Sequence, residues 1–173
     1  MSTKMIFAVG PDGEFGYDEG LPWNVPEDLE VFKSYTRGCT LVMSGATFRS
    51  LPCNLPGRNS VVLSDSEVYA INGDEPNITL PMSVDLRGLC EFLDSSSPAG
   101  VDVCVIGGRK LLVEASSFVG QASISRIGED YVSYEDENLL VKLDTSVIFD
   151  NLNSNLVLVY NTNTVFGSML EWQ

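Results

Sequence analysis

The chain has 173 residues, is 44% apolar, and sets 24 acidic side chains against ten basic ones for a net charge of −14, with no histidine. That balance argues against nucleic acid, which demands a basic footprint, and against anionic membrane surfaces. Without histidine there is no His base, no Ser-His-Asp triad and no His metal ligand.

The length fits one domain, residues 1–173, with room for a real core. Cys39, Cys53, Cys90 and Cys104 form no C-x-x-C pair. They read as reduced thiols, so no metal site is expected and the compartment is cytoplasmic. No apolar run reaches membrane-spanning length, and Met5–Val9 is too short for a signal-peptide core. A monomer is expected.

In chain order, Lys4–Val9 reads as a first buried strand. Four glycines between residues 10 and 20 then suggest a long loop that can move. Pro26 opens a helix, with Glu27 and Asp28 in the turn where the helix dipole favours acids. Thr40–Met43 is a strand, Ala46–Leu51 a short helix, and Ser60–Leu63 and Ile78–Leu80 further strands. Ser83 is the expected cap of a helix over Val84–Leu93, where Leu86, Leu89, Cys90 and Leu93 share a face. Val101–Ile106 reads as a central parallel strand, followed by Gly107-Gly108 and a helix from Arg109 to about Ser116. Ala122–Ile127 is a strand. Within the acidic stretch 129–153, Leu139–Leu143 and Val147–Phe149 read as short strands. Leu156–Tyr160 and Thr164–Trp172, joined through Asn161-Thr162-Asn163, read as a closing hairpin. The fold class is α/β, with a mostly parallel sheet and an antiparallel C-terminal hairpin.

Asp28 stands out. At about 100° per residue it falls in the same stripe as Val31, Phe32 and Tyr35, with Leu29 at its edge. A carboxylate on an apolar face is costly unless bonded or protonated. Trp23, just before the helix, brings an N–H that needs a partner when buried. A capping or surface acid is the simpler alternative. Further on, Ile106-Gly107-Gly108 lets backbone approach a ligand and leads into a helix N-terminus suited to phosphate. By itself this could be only a tight strand-to-helix turn, as there is no G-x-G-x-x-G and no Walker motif.

Together these stretches resemble the dihydrofolate reductase family. The resemblance rests on Gly16 to Pro22-Trp23, then Asp28, Leu29 and Phe32; on Met43 and Thr47-Phe48-x-Ser50-Leu51; on Leu55-Pro-Gly-Arg58; on Ile106-Gly107-Gly108; and on Ile124-Ser-Arg-Ile127. It covers residues 5–64 and 101–128, as for a divergent, bacteriophage-type member. It implies a three-layer sandwich with about four helices and NADPH-dependent reduction of 7,8-dihydrofolate to tetrahydrofolate. Asp28, Trp23 and Ser125 would be catalytic. Ile6, Leu29, Phe32, Leu51, Leu55, Arg58 and Ile106 would bind the folate, Arg58 holding its glutamate carboxylate. Ala8, Gly16, Leu21, Gly45, Ala46, Thr47, Leu63, Ser64, Asp65, Gly107, Gly108, Arg109 and Lys110 would bind the cofactor.

Two departures qualify the cofactor. The family's Met-Gly-Arg/Lys-x-Thr reads Met43-Ser44-Gly45-Ala46-Thr47 here, without the base. Asp65 stands near the position the family uses for the 2′-phosphate, which leaves NADH open beside NADPH. The rival readings are a pyrimidine reductase of the riboflavin pathway and a non-catalytic, virion-type binding protein. If the chain is viral, its compartment is the host cytoplasm.

Overall fold

The computed structural model describes residues 3–173. Its strands are β1 (Thr3–Val9), β2 (Glu14–Tyr17), β3 (Thr40–Ser44), β4 (Asn59–Leu63), β5 (Ile78–Leu80), β6 (Val103–Gly107), β7 (Gln121–Ile127), β8 (Leu140–Lys142), β9 (Leu158–Thr164) and β10 (Gly167–Trp172). Its helices are α1 (Pro26–Tyr35), α2 (Gly45–Ser50), α3 (Leu86–Ser96), α4 (Arg109–Ser116) and α5 (Ser146–Asn155).

Eight strands form one sheet in the order β5-β4-β3-β6-β1-β7-β10-β9. All neighbours from β5 to β7 are parallel, and β10 and β9 close the sheet antiparallel. The central strands are apolar on both faces, as strands covered on two sides must be. Met5, Phe7, Val103 and Val105 pack with Leu86, Cys90 and Leu112 on one face. Ile6, Cys104, Ile106 and Met43 pack with Phe48, Val31, Phe32 and Tyr35 on the other. The layers are therefore α1 and α2, the sheet, and α3 to α5. Among the described residues no helix is long and apolar enough to cross a membrane. All four cysteines are free thiols, and burial pushes Cys90 up to about 12.

Several boundaries differ from the sequence expectation. The third helix starts at Leu86, because the Asp85 side chain accepts from Gly88 N at 3.0 Å, displacing Ser83 as the cap. It runs on to Ser96, past the expected end at Leu93. Val147–Phe149 is the first part of helix α5, which makes five α-helices in place of four. There Ile148 and Leu152, four apart, are fully buried, and Asp144 Oδ1 accepts from Ser146 N and Oγ at the helix start. Asn161-Thr162-Asn163 lies within β9, and Val165-Phe166 makes the turn. The side chain of Phe166 sets that position by burying itself beside Trp23, Val25 and Ile127.

The glycine-rich segment after β1 is more ordered than a free loop. β2 pairs antiparallel with β8 in a separate two-stranded ribbon. Gly13 O accepts from Leu143 N at 2.8 Å in this partner segment, and a Cβ on Gly13 would sit 2.8 Å from Leu143 O, so only glycine fits. The acidic stretch thus serves as the partner strand of the mobile-looking loop.

Leu152→Ala should cost ~2–5 kcal/mol in urea unfolding, as a cavity under Trp172 and Phe149. A loss of only ~0.5 kcal/mol, the surface value, would show that α5 does not belong to the core.

Candidate active site

The parallel strands present their carboxyl ends along one edge. From β3 the chain leads through α2 to β4 on one side, and from β6 it leads through α4 to β7 on the other. Ligands of open α/β sheets bind where strands part in this way. Two groups of residues meet at this edge.

The first surrounds Asp28. Pro26 places α1 so that Asp28 lies in its first turn, the only residue of that helix classed as buried. The helical stripe thus sends a carboxyl group inward, against β7. Ser125 hydrogen-bonds to it, and Ser125 sits in register with Ala8 on β1. Burial raises the pKa of Asp28, and the Ser125 hydrogen bond offsets this in part. Trp23 is buried beside Val25, Ile127 and Phe166, and its Nε1 has no partner among the described residues. That orphaned donor is the kind of group a bound water or ligand completes.

Around them Ile6 and Ile106 are buried, while Phe32, Leu51 and Leu55 are half-buried against the same cluster. Leu29 is 47% exposed, beside this apolar wall rather than in it. Arg58 closes the far end. Its Nε donates to Thr36 Oγ1 at 3.0 Å, Nη1 to Pro56 O at 2.7 Å and Nη2 to Lys33 O at 3.0 Å. A guanidinium has five N–H groups, so one on each Nη is left for a carboxylate. Thr36 was invisible as a site residue in the sequence; only its contact with Arg58 reveals it.

The second group is the Gly107-Gly108 turn, whose linking peptide is cis. A Cβ on Gly107 would lie 2.8 Å from Thr47 Oγ1, so the turn can approach the start of α2 only without a side chain. Ser44 Oγ accepts from Gly108 N at 3.1 Å, lies 3.2 Å from Thr47 Oγ1 and caps α2. The hydroxyl that replaces the family's glycine therefore ties two helix starts together. The S-x-x-T spacing at a strand end is the signal that could have singled out Ser44. A Cβ on Gly45 would come within 3.2 Å of Ser64 Oγ, whereas Ala46 is exposed.

Other expected cofactor residues are placed less simply. Leu63 ends β4 with its side chain in the core and its backbone in the sheet between β3 and β5. Asp65 is exposed, with Oδ1 accepting from Met82 N at 3.1 Å. Arg109 Nη1 donates to Lys142 O at 3.1 Å, which turns it towards β8, while Lys110 is exposed. Gly16 pairs with Val141 in the ribbon, and Leu21 is exposed on the segment leading to Trp23. Hollows of about 480 and 510 Å³ lie elsewhere, lined in part by Arg126 and by Tyr35; neither includes Asp28 or the glycine turn.

The family model described as dihydrofolate reductase matches residues 2–137. The chain belongs to the dihydrofolate reductase family. It is 32% identical over 126 residues to dihydrofolate reductase type 9 of Escherichia coli, covering 73% of this chain and 70% of that protein. It is 32% identical over 139 residues to dihydrofolate reductase of Mycobacterium leprae, covering 79% and 78%. A solved dihydrofolate reductase from Enterococcus faecalis, complexed with NADP(H) and RAB-propyl, superposes with a TM-score of 0.68 over 98% of this chain and 94% of that one, at 22% identity. The dihydrofolate reductase fold is thus shared across almost the whole chain.

The glycine turn fits a dinucleotide. Gly107 and Gly108 pack closely on Thr47 and Ser44, where a Cβ would come within 2.8 and 3.1 Å of their hydroxyl oxygens, so the turn meets two helix starts with hydroxyls and no opposing charge.

Because the Asp28 pKa is raised on folding, the extra stability is complete below about pH 4, the ordinary Asp value, and is lost as pH rises through the folded value. Asp28→Asn escapes that loss. Its melting temperature should exceed the parent's at pH 8, with the gap closing towards pH 4. An unchanged gap across that range would contradict a raised pKa.

Proposed function

We propose that this chain reduces 7,8-dihydrofolate to 5,6,7,8-tetrahydrofolate with NADPH, working as a single reductase domain. The observation that carries the reading is the buried Asp28–Ser125 pair at the strand edge, set between an apolar wall and the glycine turn. When bound, NADPH supplies the hydride for C6 of the pterin.

Asp28 binds the amino-pyrimidine side of the pterin and assists delivery of a proton to N5 through water. Its raised pKa keeps a proton available nearer neutral pH than an exposed carboxyl could. Ser125 orients the carboxyl group and limits that rise. Trp23 offers its free Nε1–H to the water. Ile6, Phe32, Leu51, Leu55 and Ile106 exclude solvent from the flat ring system, with Leu29 at the rim. Arg58, clamped by Thr36 and two carbonyls, gives its two remaining N–H groups to the glutamate tail as a bidentate pair.

Gly107, Gly108, Gly45 and Thr47 hold the dinucleotide phosphates, and Ser44 keeps their two helix starts in register. Ala8 faces the nicotinamide amide. Lys110 supplies positive charge in place of the base missing at Gly45-Ala46. Ser64 and Asp65 meet the adenosine ribose, where an acid weakens the preference for a 2′-phosphate.

The test is dihydrofolate-dependent oxidation of NADPH, with NADH in parallel. Turnover is expected with NADPH. In Asp28→Asn it should fall by ~10²–10⁴-fold, the range for a lost general acid, while NADPH still raises the melting temperature. A near-normal rate at neutral pH would contradict the role of Asp28. Arg58→Ala should raise the KM for dihydrofolate and leave kcat nearly unchanged, as loss of uniform binding does; an unchanged KM would remove Arg58 from the site.

A further inference from the structure

Two buried hydroxyls are left over beside the site already described. Ser123 Oγ and the phenol oxygen of Tyr35 are closed off from solvent and have no hydrogen-bond partner among the described residues. Such groups are rare in folded chains and point to water or a ligand as the partner. Both lie under α1. Ser123 stands two residues before Ser125 on β7, so the two side chains share the face of the sheet that α1 covers. Tyr35 stands two helical turns after Asp28 on the same stripe of α1. The helix runs against the direction of β7. Asp28 meets Ser125, whereas Lys4 Nζ, 4.3 Å from the Tyr35 ring centre, belongs to a residue that pairs with Gln121 at the start of β7. Ser123 falls between these two ends.

A hollow of about 510 Å³ opens beside this row, between α1 and β10, lined by Glu30, Val31, Ser34, Tyr35, Met169 and Glu171. Its two β10 residues are the register partners of the two serines: Met169 stands opposite Ser125, and Glu171 opposite Ser123. Opposed residues keep their Cβ atoms about 4.5–5.5 Å apart, so the hollow comes within one side chain of both hydroxyls. Along β7 the two serines are roughly 7 Å apart. That is too far for a direct hydrogen bond and suits one bridging water.

We propose that Ser123 and Tyr35 form a proton relay that returns protons to Asp28 from this hollow, with Glu171 at its mouth, while dihydrofolate and cofactor cover the other side of the carboxyl group. The relay rests on the reduction proposed above. A proton from solvent enters beside Glu171 and passes through the hydroxyls of Tyr35 and Ser123 and the waters between them. Each oxygen accepts one proton and gives up another, so it ends as it began. Ser125, which already donates to the Asp28 carboxylate, delivers the last one. The net change is one proton moved from water to Asp28. Ser123 and Tyr35 thus act through Asp28 and are positioning residues. The two carboxylates of the hollow raise the local concentration of cations, protons included. Burial above all, with Cys104 and Glu171 nearby, pushes the Tyr35 phenol up, so it keeps the proton that it must pass on. The other titratable groups around Tyr35 are Cys39 and Lys4, the latter paired with Asp102 at 3.4 Å, while Glu30 is paired with Lys33 on α1. Burial and Ser125 set the pKa of Asp28 itself.

The experiment is single-turnover oxidation of NADPH by dihydrofolate with the whole chain, from acid to alkaline pH, in light and heavy water. The variants are Ser123→Ala, Tyr35→Phe, which removes one oxygen and keeps the ring, and Ser123→Thr, which keeps the hydroxyl. In Ser123→Ala and Tyr35→Phe the supply should slow about tenfold, so the fall in rate with rising pH should begin about one pH unit lower. Their solvent isotope effect should grow, and their steady-state KM for dihydrofolate should stay that of the parent. Ser123→Thr should restore the parental profile. Loss of a hydroxyl that only packs would move neither the profile nor the isotope effect. Parental profiles and isotope effects in both Ser123→Ala and Tyr35→Phe, with Asp28→Asn still crippled, would overturn the relay and leave the role of Asp28 standing. A near-normal rate in Asp28→Asn, or no turnover in the unaltered chain, would overturn both.

Discussion

The contact on which the site depends is a carboxyl group held out of water. Asp28 lies on the side of α1 that faces the sheet and meets Ser125 across it. Desolvation would normally expel a charge from such a place. The single hydroxyl partner offsets only part of that cost, so the group titrates at a higher pH than an exposed acid. Everything near it follows from keeping it there. Pro26 fixes where the helix begins. Val31, Phe32 and Tyr35 glue its other turns to the sheet. Phe166, at the tip of the last hairpin, packs against Trp23 and so binds the segment before the helix to the far strands. The end of the chain thus braces a site built from its beginning.

Charge poses a second constraint. Dihydrofolate and NADPH are both anions, and the chain is strongly acidic. Attraction must be local. In the proposed reading Arg58 would meet this need by rigidity, since three of its N–H groups are fixed on protein oxygens. Little side-chain entropy is left to lose on binding. At the glycine turn the proposed means would be different: hydroxyls and helix starts would stand in for the usual base, and Ser44 joins the two helix starts by accepting from Gly108 N and capping α2. Neutral donors hold phosphates with less dependence on salt than cations do, because they release no counterions.

Much of this was legible in the sequence, and the reasons are physical. Buried parallel strands such as β1, β3, β4 and β6 are continuous apolar runs, and proline and glycine mark their ends. Asp28 was visible because helical periodicity puts it among apolar neighbours. Where the reading went astray, the deciding contact was distant. The start of α3 turned on Asp85 winning over Ser83 as a cap. Helix α5 was hidden because Asn151, Asn153 and Asn155 weaken the local helix signal, while Ile148 and Leu152 are committed by packing that only the folded sheet provides. The pairing of β2 with β8 joins segments more than a hundred residues apart. No local pattern announces such a partner.

The ribbon and the sheet edge illustrate how one property can serve opposite ends. Residues 129–144 are densely acidic and lie mostly at the surface, yet three of them supply β8. There the pairing is short and irregular, with a register shift between Glu14 and Gly16. Residues 151–170 carry no charge and run from the end of α5 through the outer hairpin of β9 and β10. Charge density thus separates the short, loosely paired ribbon from the longer hairpin in which β9 pairs with β10 along its inner side. The active-site edge lies between them, with Trp23 in contact with the hairpin tip at Phe166 and Pro22 O accepting from Ser133 N at 2.8 Å. The segment around Trp23 is thus held from both sides, by apolar packing at the hairpin tip and by a backbone hydrogen bond from the acidic stretch.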